Sequence, residues 1–141
     1  MTERQILLVK HSWSYVIVHS EEAGREFYAR LFEVAPQVRS MFPNDIRSQA
    51  KKLMDMVTLM VVKLQKMDVL LEEVRLLAKR HVKYGAYSEH YAVVGECLIW
   101  TLRNGLGEKW NAEMEDAWLT LYSKISEAMM EQHHLAEKEK R

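Results

Sequence analysis

The chain has 141 residues, of which 48% are apolar and 28% charged, enough for one domain with a real core and too little for two. Lys plus Arg and Asp plus Glu number 20 each, a balance that argues against a nucleic-acid binder or a polybasic membrane-surface protein. Five Gly and two Pro leave little material for hairpin turns, so an all-α chain is favoured.

No apolar run exceeds four residues, far short of the roughly 20 that a membrane helix needs. The start, Met1-Thr2-Glu3-Arg4, carries no hydrophobic signal core, so a cytoplasmic protein is expected. Cys97 is the single cysteine, which excludes an internal disulfide and a cysteine-clustered zinc site.

The first helix is predicted to start near Thr2 as its cap, with Ile6, Val9, Trp13, Val16 and Ile17 stepping by three and four. Ser20 is the expected cap of a second helix, with Glu21 and Glu22 in its first turn. Phe27, Tyr28, Leu31, Phe32 and Ala35 mark its buried face, and Gly24 lies one turn before Tyr28. A mid-helix Gly costs roughly 1 kcal/mol against Ala, and a close helix crossing would explain it. Pro36 breaks this helix, and a short piece at 37–42 ends at Pro43. Asn44-Asp45 then reads as a turn able to cap a third helix over 46–67, with Ala50, Leu53, Met54, Val57, Met60, Val61 and Leu64 inward. A fourth segment, 69–82, aligns Leu70, Val74, Leu77, Ala78 and His81, and ends at Tyr84-Gly85-Ala86. Ser88 is the expected cap of a fifth helix reaching roughly to Leu106, stopped by Gly105 and Gly107. Asn111 opens a sixth through Met114, Trp118, Leu121, Tyr122, Ile125 and Met129, and the polar tail at 131–141 is expected to fray. The expectation is a single all-α domain over 1–141, its helices packed pairwise around one core.

Six histidines are the first place to look for chemistry. His11, His19 and His133-His134 read as solvated, and His90 sits in the polar helix start Ser88-Glu89-His90. His81 instead extends the apolar stripe Val74, Leu77, Ala78. Taken alone it reads best as a core histidine satisfied by one hydrogen bond, though a neutral imidazole on an apolar pocket is also what a haem iron needs. Gln49, Lys52, Leu53 and Met56 share one face of the third helix, so Gln49 is either a surface amide or a donor aimed at a ligand. Lys52 is either a solvated charge or the partner of an anionic ligand group. Tyr28, among aromatic and aliphatic neighbours, needs a buried partner for its hydroxyl or an edge position. There is no glycine-rich phosphate loop, nucleophile elbow or His-Glu-x-x-His motif.

Four stretches carry a family pattern: FYARLFEVAPQVRSMF at 27–42, SQAKKLM from Ser48, KRHVKYGAYSEHY at 79–91 and VVGECL at 93–98. By their order and spacing, over about residues 3–130, the chain resembles the globins, in particular bacterial single-domain globins and the haem domains of flavohaemoglobins. Trp13 and Trp118 fall where such globins keep core tryptophans. The resemblance implies a globin fold around haem b (iron protoporphyrin IX), with His81 as the proximal iron ligand and Phe42 against the haem plane. It further implies that Tyr28 and Gln49 hydrogen-bond bound oxygen and that Leu53 is the apolar distal residue. Leu77, Tyr91, Val94 and Leu98 match pocket-lining positions, Arg80 and Lys52 are candidates for the haem propionates, and Gly24 and Ala50 match a close crossing of the second and third helices.

The implied function is reversible binding of O2, and of other diatomics such as NO and CO, with tight O2 binding through the Tyr/Gln pair. The alternative is nitric-oxide dioxygenase activity, which needs electrons from a separate reductase because no reductase domain is expected on this chain. Flavohaemoglobins also carry a glutamate late in the last globin helix, at a position that falls on Leu135 here, so the resemblance implies a proximal histidine lacking that carboxylate. A haem-free globin used as a sensor or interaction module, or a plain helix-bundle adaptor, predicts no cofactor at all.

Overall fold

The computed structural model describes residues 1–42, 45–83 and 89–139, without the side chains of 81–83, 89, 133 and 136–139. Among the described residues the chain forms six α-helices and no strand: α1 (Glu3–Val16), α2 (Ser20–Val34), α3 (Ile46–Val62), α4 (Met67–Lys83), α5 (Glu89–Leu106) and α6 (Ala112–Glu139). Short 3-10 turns occupy Ile17–His19, Pro36–Met41 and Gly107–Lys109.

Local signals account for several of the boundaries. Thr2 starts α1 with a full capping box, its hydroxyl accepting from the Gln5 N–H while the Gln5 side chain accepts from the Thr2 N–H. Asp45 caps α3 by accepting from the Arg47 N–H at 3.2 Å. Asn111 caps α6 by accepting from the Met114 N–H at 2.9 Å. Beyond α5 the chain turns at Gly107, whose φ of +54° lies in the left-handed region.

Other boundaries differ from the sequence expectation. Ser20 is the first residue of α2 and not its cap: the 3-10 turn delivers it already helical, at φ −59° and ψ −40°, and a capping residue needs extended backbone. Helix α3 stops at Val62 and not near residue 67, because the chain turns to drive Leu64, 1% exposed, into the core. Helix α5 ends at Leu106, where the sequence places its end, with Gly105 inside its last turn. The segment expected to fray from Glu131 continues α6 to Glu139, in keeping with its Ala, Leu, Glu and Lys content. The readings at Pro43, Asn44, Tyr84-Gly85-Ala86 and Ser88 lie outside the described residues.

Helix α6 packs along α4 and α1, and α2 packs against α3 and α5. The indoles of Trp13 and Trp118 meet at 5.9 Å in the main core, where Trp118 Nε1–H donates to Ser12 Oγ at 2.8 Å. The α2–α3 crossing is closest at Gly24, where a Cβ would lie 2.8 Å from the Ala50 Cβ and 3.3 Å from the Ala50 carbonyl oxygen. The expected close crossing is therefore present, and it brings Tyr28, one turn after Gly24, beside Gln49, next to Ala50.

Candidate functional site

Between α2, α3, α4, α5 and α6 lies an interior cavity of about 300 Å³, at the low end of the roughly 300–1,000 Å³ of small-molecule pockets. Its walls are overwhelmingly apolar. Helix α2 contributes Phe27, Tyr28 and Leu31; α3 contributes Gln49, Lys52, Leu53, Met56, Val57 and Met60. Leu77 comes from α4, and Tyr91, Val94 and Leu98 come from α5. Trp118, Leu121, Tyr122, Ile125 and Met129 of α6 close the far side.

Each polar group in this wall has a local reason for its position. Tyr28 follows Gly24 on the buried face of α2 and is 4% exposed. Its ring lies 5.0 Å from Phe27, 5.8 Å from Phe32 and 5.3 Å from Phe42, so χ rotation is blocked on three sides. Burial pushes the Tyr28 hydroxyl above the usual phenol range, and a hydrogen bond with the Gln49 side chain offsets part of that rise. Tyr28 thus keeps its proton throughout the physiological range. The partner expected for its hydroxyl is Gln49.

Phe42 is positioned by the 3-10 turn that Pro36 initiates. Its N–H donates to the Arg39 carbonyl at 3.1 Å, and the Arg39 guanidinium donates back to the Phe42 carbonyl at 2.6 Å. Arg39 also lies over the Phe32 ring at 5.1 Å, which ties the turn to α2. Lys52 is exposed at the rim, so its charge stays hydrated while its stem lines the cavity.

The structure brings Tyr28, Phe42, Gln49, Lys52, Leu53, Leu77, Tyr91, Val94 and Leu98 into one wall. Arg80 is exposed and does not line the cavity: it falls on the outer side of α4, three residues after Leu77. His81 belongs to the last turn of α4, one turn after Leu77, and its side chain lies outside the described ones. Leu135 is 51% exposed on α6.

Among the lining residues that the sequence reading did not assign to the site are His90 and Tyr122. His90, assigned there to a polar helix start, is half-buried in the cavity wall. Tyr122, read as an ordinary core position, directs its hydroxyl to the Tyr91 carbonyl. Its ring fills the space over Gly95, where a Cβ would lie 2.5 Å from Tyr122 Cε1. Gly95 inside an apolar helical run was the available signal, since a mid-helix glycine there implies a neighbour in close approach. Burial drives the Tyr91 phenol up to about 12 and the Tyr122 phenol above the usual range.

This is a mainly apolar chamber with Tyr28 and Gln49 together on one wall and a cation at its rim. Among the described residues no group of three or more His, Cys, Asp or Glu is assembled, so a bare metal ion has no built site there. The same residues suit a flat apolar group, whose face an aromatic-lined interior accepts, and Lys52 supplies a cation at the rim.

Comparison with known proteins gives one consistent result. A family model described as Globin matches residues 25–129. The chain is 32% identical to an anaerobic nitrite reductase of Gossypium hirsutum, over 94% of this chain and 96% of that protein. It is 29% identical to a flavohemoprotein of Bordetella pertussis, over 87% of this chain but 31% of that longer protein. Its fold matches the crystal structure of a hexacoordinated haem protein from an anhydrobiotic tardigrade at TM-score 0.85, covering 94% of both chains at 21% identity.

Proposed function

The chain belongs to the globin family, which binds haem, and on that premise we propose that it binds dioxygen and other diatomic gases reversibly, holding oxygen through Tyr28 and Gln49. The observation that carries this reading is that Tyr28 and Gln49 stand side by side on a mainly apolar cavity wall. The cofactor is haem b, and when bound it supplies an iron centre with affinity for small diatomic ligands.

The chain's own residues divide the work. His81, one turn beyond Leu77, would hold the iron as its protein ligand in this reading. Phe42 would lie against the porphyrin, and Lys52 would pair with a propionate at the rim. Arg80, on the exposed side of α4, reaches a propionate only from outside the cavity wall. Leu53, Val94 and Leu98 exclude water, which strengthens every remaining electrostatic contact. The Tyr28 hydroxyl and the Gln49 amide would donate hydrogen bonds to a bound ligand that carries partial negative charge. Two donors on a rigid wall favour retention, so slow release is expected over easy delivery.

A second reading is nitric-oxide dioxygenation with electrons from a separate reductase, favoured by the same donor pair and by the flavohemoprotein relative. Rapid loss of the oxy spectrum on adding NO, with multiple turnovers under a reductant and reductase, identifies it. The haem reading is tested by purification and haemin titration. An intense Soret band, lost or strongly shifted in His81→Ala while helical circular dichroism is retained, is expected. A folded, colourless protein that takes up no haemin refutes it.

A further inference from the structure

A second concavity, of about 450 Å³, opens on the surface between α2, α5 and α6. Its wall is mainly apolar. Val34 of α2 and Leu119 of α6, each 45% exposed, are joined there by Ile99 and the half-buried Trp100 of α5.

The two arginines of this wall are held differently. Arg103 donates to Glu115 at 2.8 Å, and Trp110 Nε1–H donates to the same oxygen at 3.4 Å, so that pair is closed. The Arg30 guanidinium lies over the Trp100 ring at 5.3 Å. Its one hydrogen-bond partner among the described residues is Glu33 at 3.5 Å, the long limit for such a bond. The Arg30 side chain is 35% exposed and that of Glu33 71%, so a half-buried cation is paired with a carboxylate that water already satisfies. A guanidinium carries its N–H donors in a planar fork, and most of those of Arg30 are left open beside the apolar wall. Glu96, exposed one turn before Trp100, is the other carboxylate of the wall besides Glu115.

We infer that the α2–α5–α6 cleft binds a small aromatic monocarboxylate, whose carboxylate takes the open N–H groups of Arg30 and whose ring lies against Val34, Ile99, Trp100 and Leu119. The class follows from the wall. A planar donor fork matches a carboxylate through two parallel hydrogen bonds, which neither a neutral group nor a cation can accept as well. Stacking on Trp100 holds the fork in place, so little side-chain freedom is lost when the ligand arrives. The volume is toward the small end for ligand pockets, which admits one or two rings and no long acyl chain. Glu96 sets a negative charge at the rim, which opposes a second acidic group on the ligand. This binding is independent of what occupies the interior cavity.

The test is a titration with naphthoate, followed by NMR through the amide and indole N–H signals. The protein is used as isolated, reduced and saturated with carbon monoxide, so that a bound haem is diamagnetic. Saturable shifts are expected at Val34, Trp100 and Leu119, with sub-millimolar affinity. Naphthamide, which keeps the rings and lacks the charge, should bind about tenfold more weakly, and Arg30→Gln should weaken naphthoate by about the same factor. Leu119→Trp fills the cleft from an exposed rim and should abolish the shifts, with thermal melts showing that the fold is kept. Where that variant does not fold, Val34→Trp fills the cleft from α2 and should give the same loss. No saturable shift at millimolar naphthoate, or shifts confined to interior-cavity residues such as Leu53 and Leu77, overturns the site. Binding that survives the tryptophan substitution also overturns it, and equal affinity for naphthoate and naphthamide, or in Arg30→Gln, overturns the carboxylate assignment.

Discussion

Replacing Tyr28 with Phe isolates one hydroxyl. The ring contacts to Phe27, Phe32 and Phe42, at 5.0, 5.8 and 5.3 Å, are equally available to phenylalanine, so packing is preserved. The fold loses the hydrogen bond to Gln49, a neutral pair on a cavity wall, at a cost of about 0.5–1.5 kcal/mol. The ligand loses more, because a donor facing a partly charged acceptor in a mainly apolar chamber is worth about 1–3 kcal/mol. Converted to a rate, oxygen dissociation should speed up by about 5- to 150-fold. The assay is stopped-flow displacement of oxygen by excess carbon monoxide, followed in the Soret region. Gln49→Leu should act in the same direction, and the double variant should fall short of additivity because the two side chains bond each other. An oxygen dissociation rate in Tyr28→Phe equal to that of the parent would refute the donor role.

Three further outcomes follow from the packing and the titrating groups. Gly24→Val should destabilise the fold by about 1–3 kcal/mol in urea unfolding, since even its Cβ would sit 2.8 Å from Ala50 Cβ and 3.3 Å from a backbone oxygen that cannot yield. An unchanged midpoint would mean that the helices separate freely there. Ser12→Ala leaves the buried Trp118 N–H without its 2.8 Å acceptor, and should lower stability by about 1–3 kcal/mol in thermal melts. The Tyr91 phenol is raised from 10.0 to about 12 by burial, so its contribution to stability is intact below pH 10 and lost as pH climbs toward 12. Circular dichroism and tyrosinate absorbance should therefore show alkaline unfolding across that window, with a shallower pH slope in Tyr91→Phe.

Helix period and capping chemistry were readable along the chain. Thr2, Asp45 and Asn111 cap where short polar side chains stand before apolar stripes, because the cap is a contact between neighbours in sequence. Ser20 has the same kind of side chain and does not cap, because the 3-10 turn before it had already fixed its backbone. The end of α3 was illegible for a related reason: Leu64 turns inward to a core built by distant helices. Tyr28 and Gln49 could be singled out as polar groups on apolar stripes, yet nothing in their spacing states that α2 and α3 bring them together.

The sequence by itself determined an all-α chain, the inward stripe of most helices and a short set of polar residues unsuited to a plain core. Those features follow from local periodicity and from contacts a few residues apart. Only the tertiary structure decided that the stripes leave a chamber, that His90 and Tyr122 belong to its wall, and that Arg80 does not. The physical reason is steric and long-range. A helix stripe sets the direction in which side chains point, but how near two stripes come depends on the absence of a Cβ at Gly24 and Gly95, matched to Ala50 and Tyr122 on other helices.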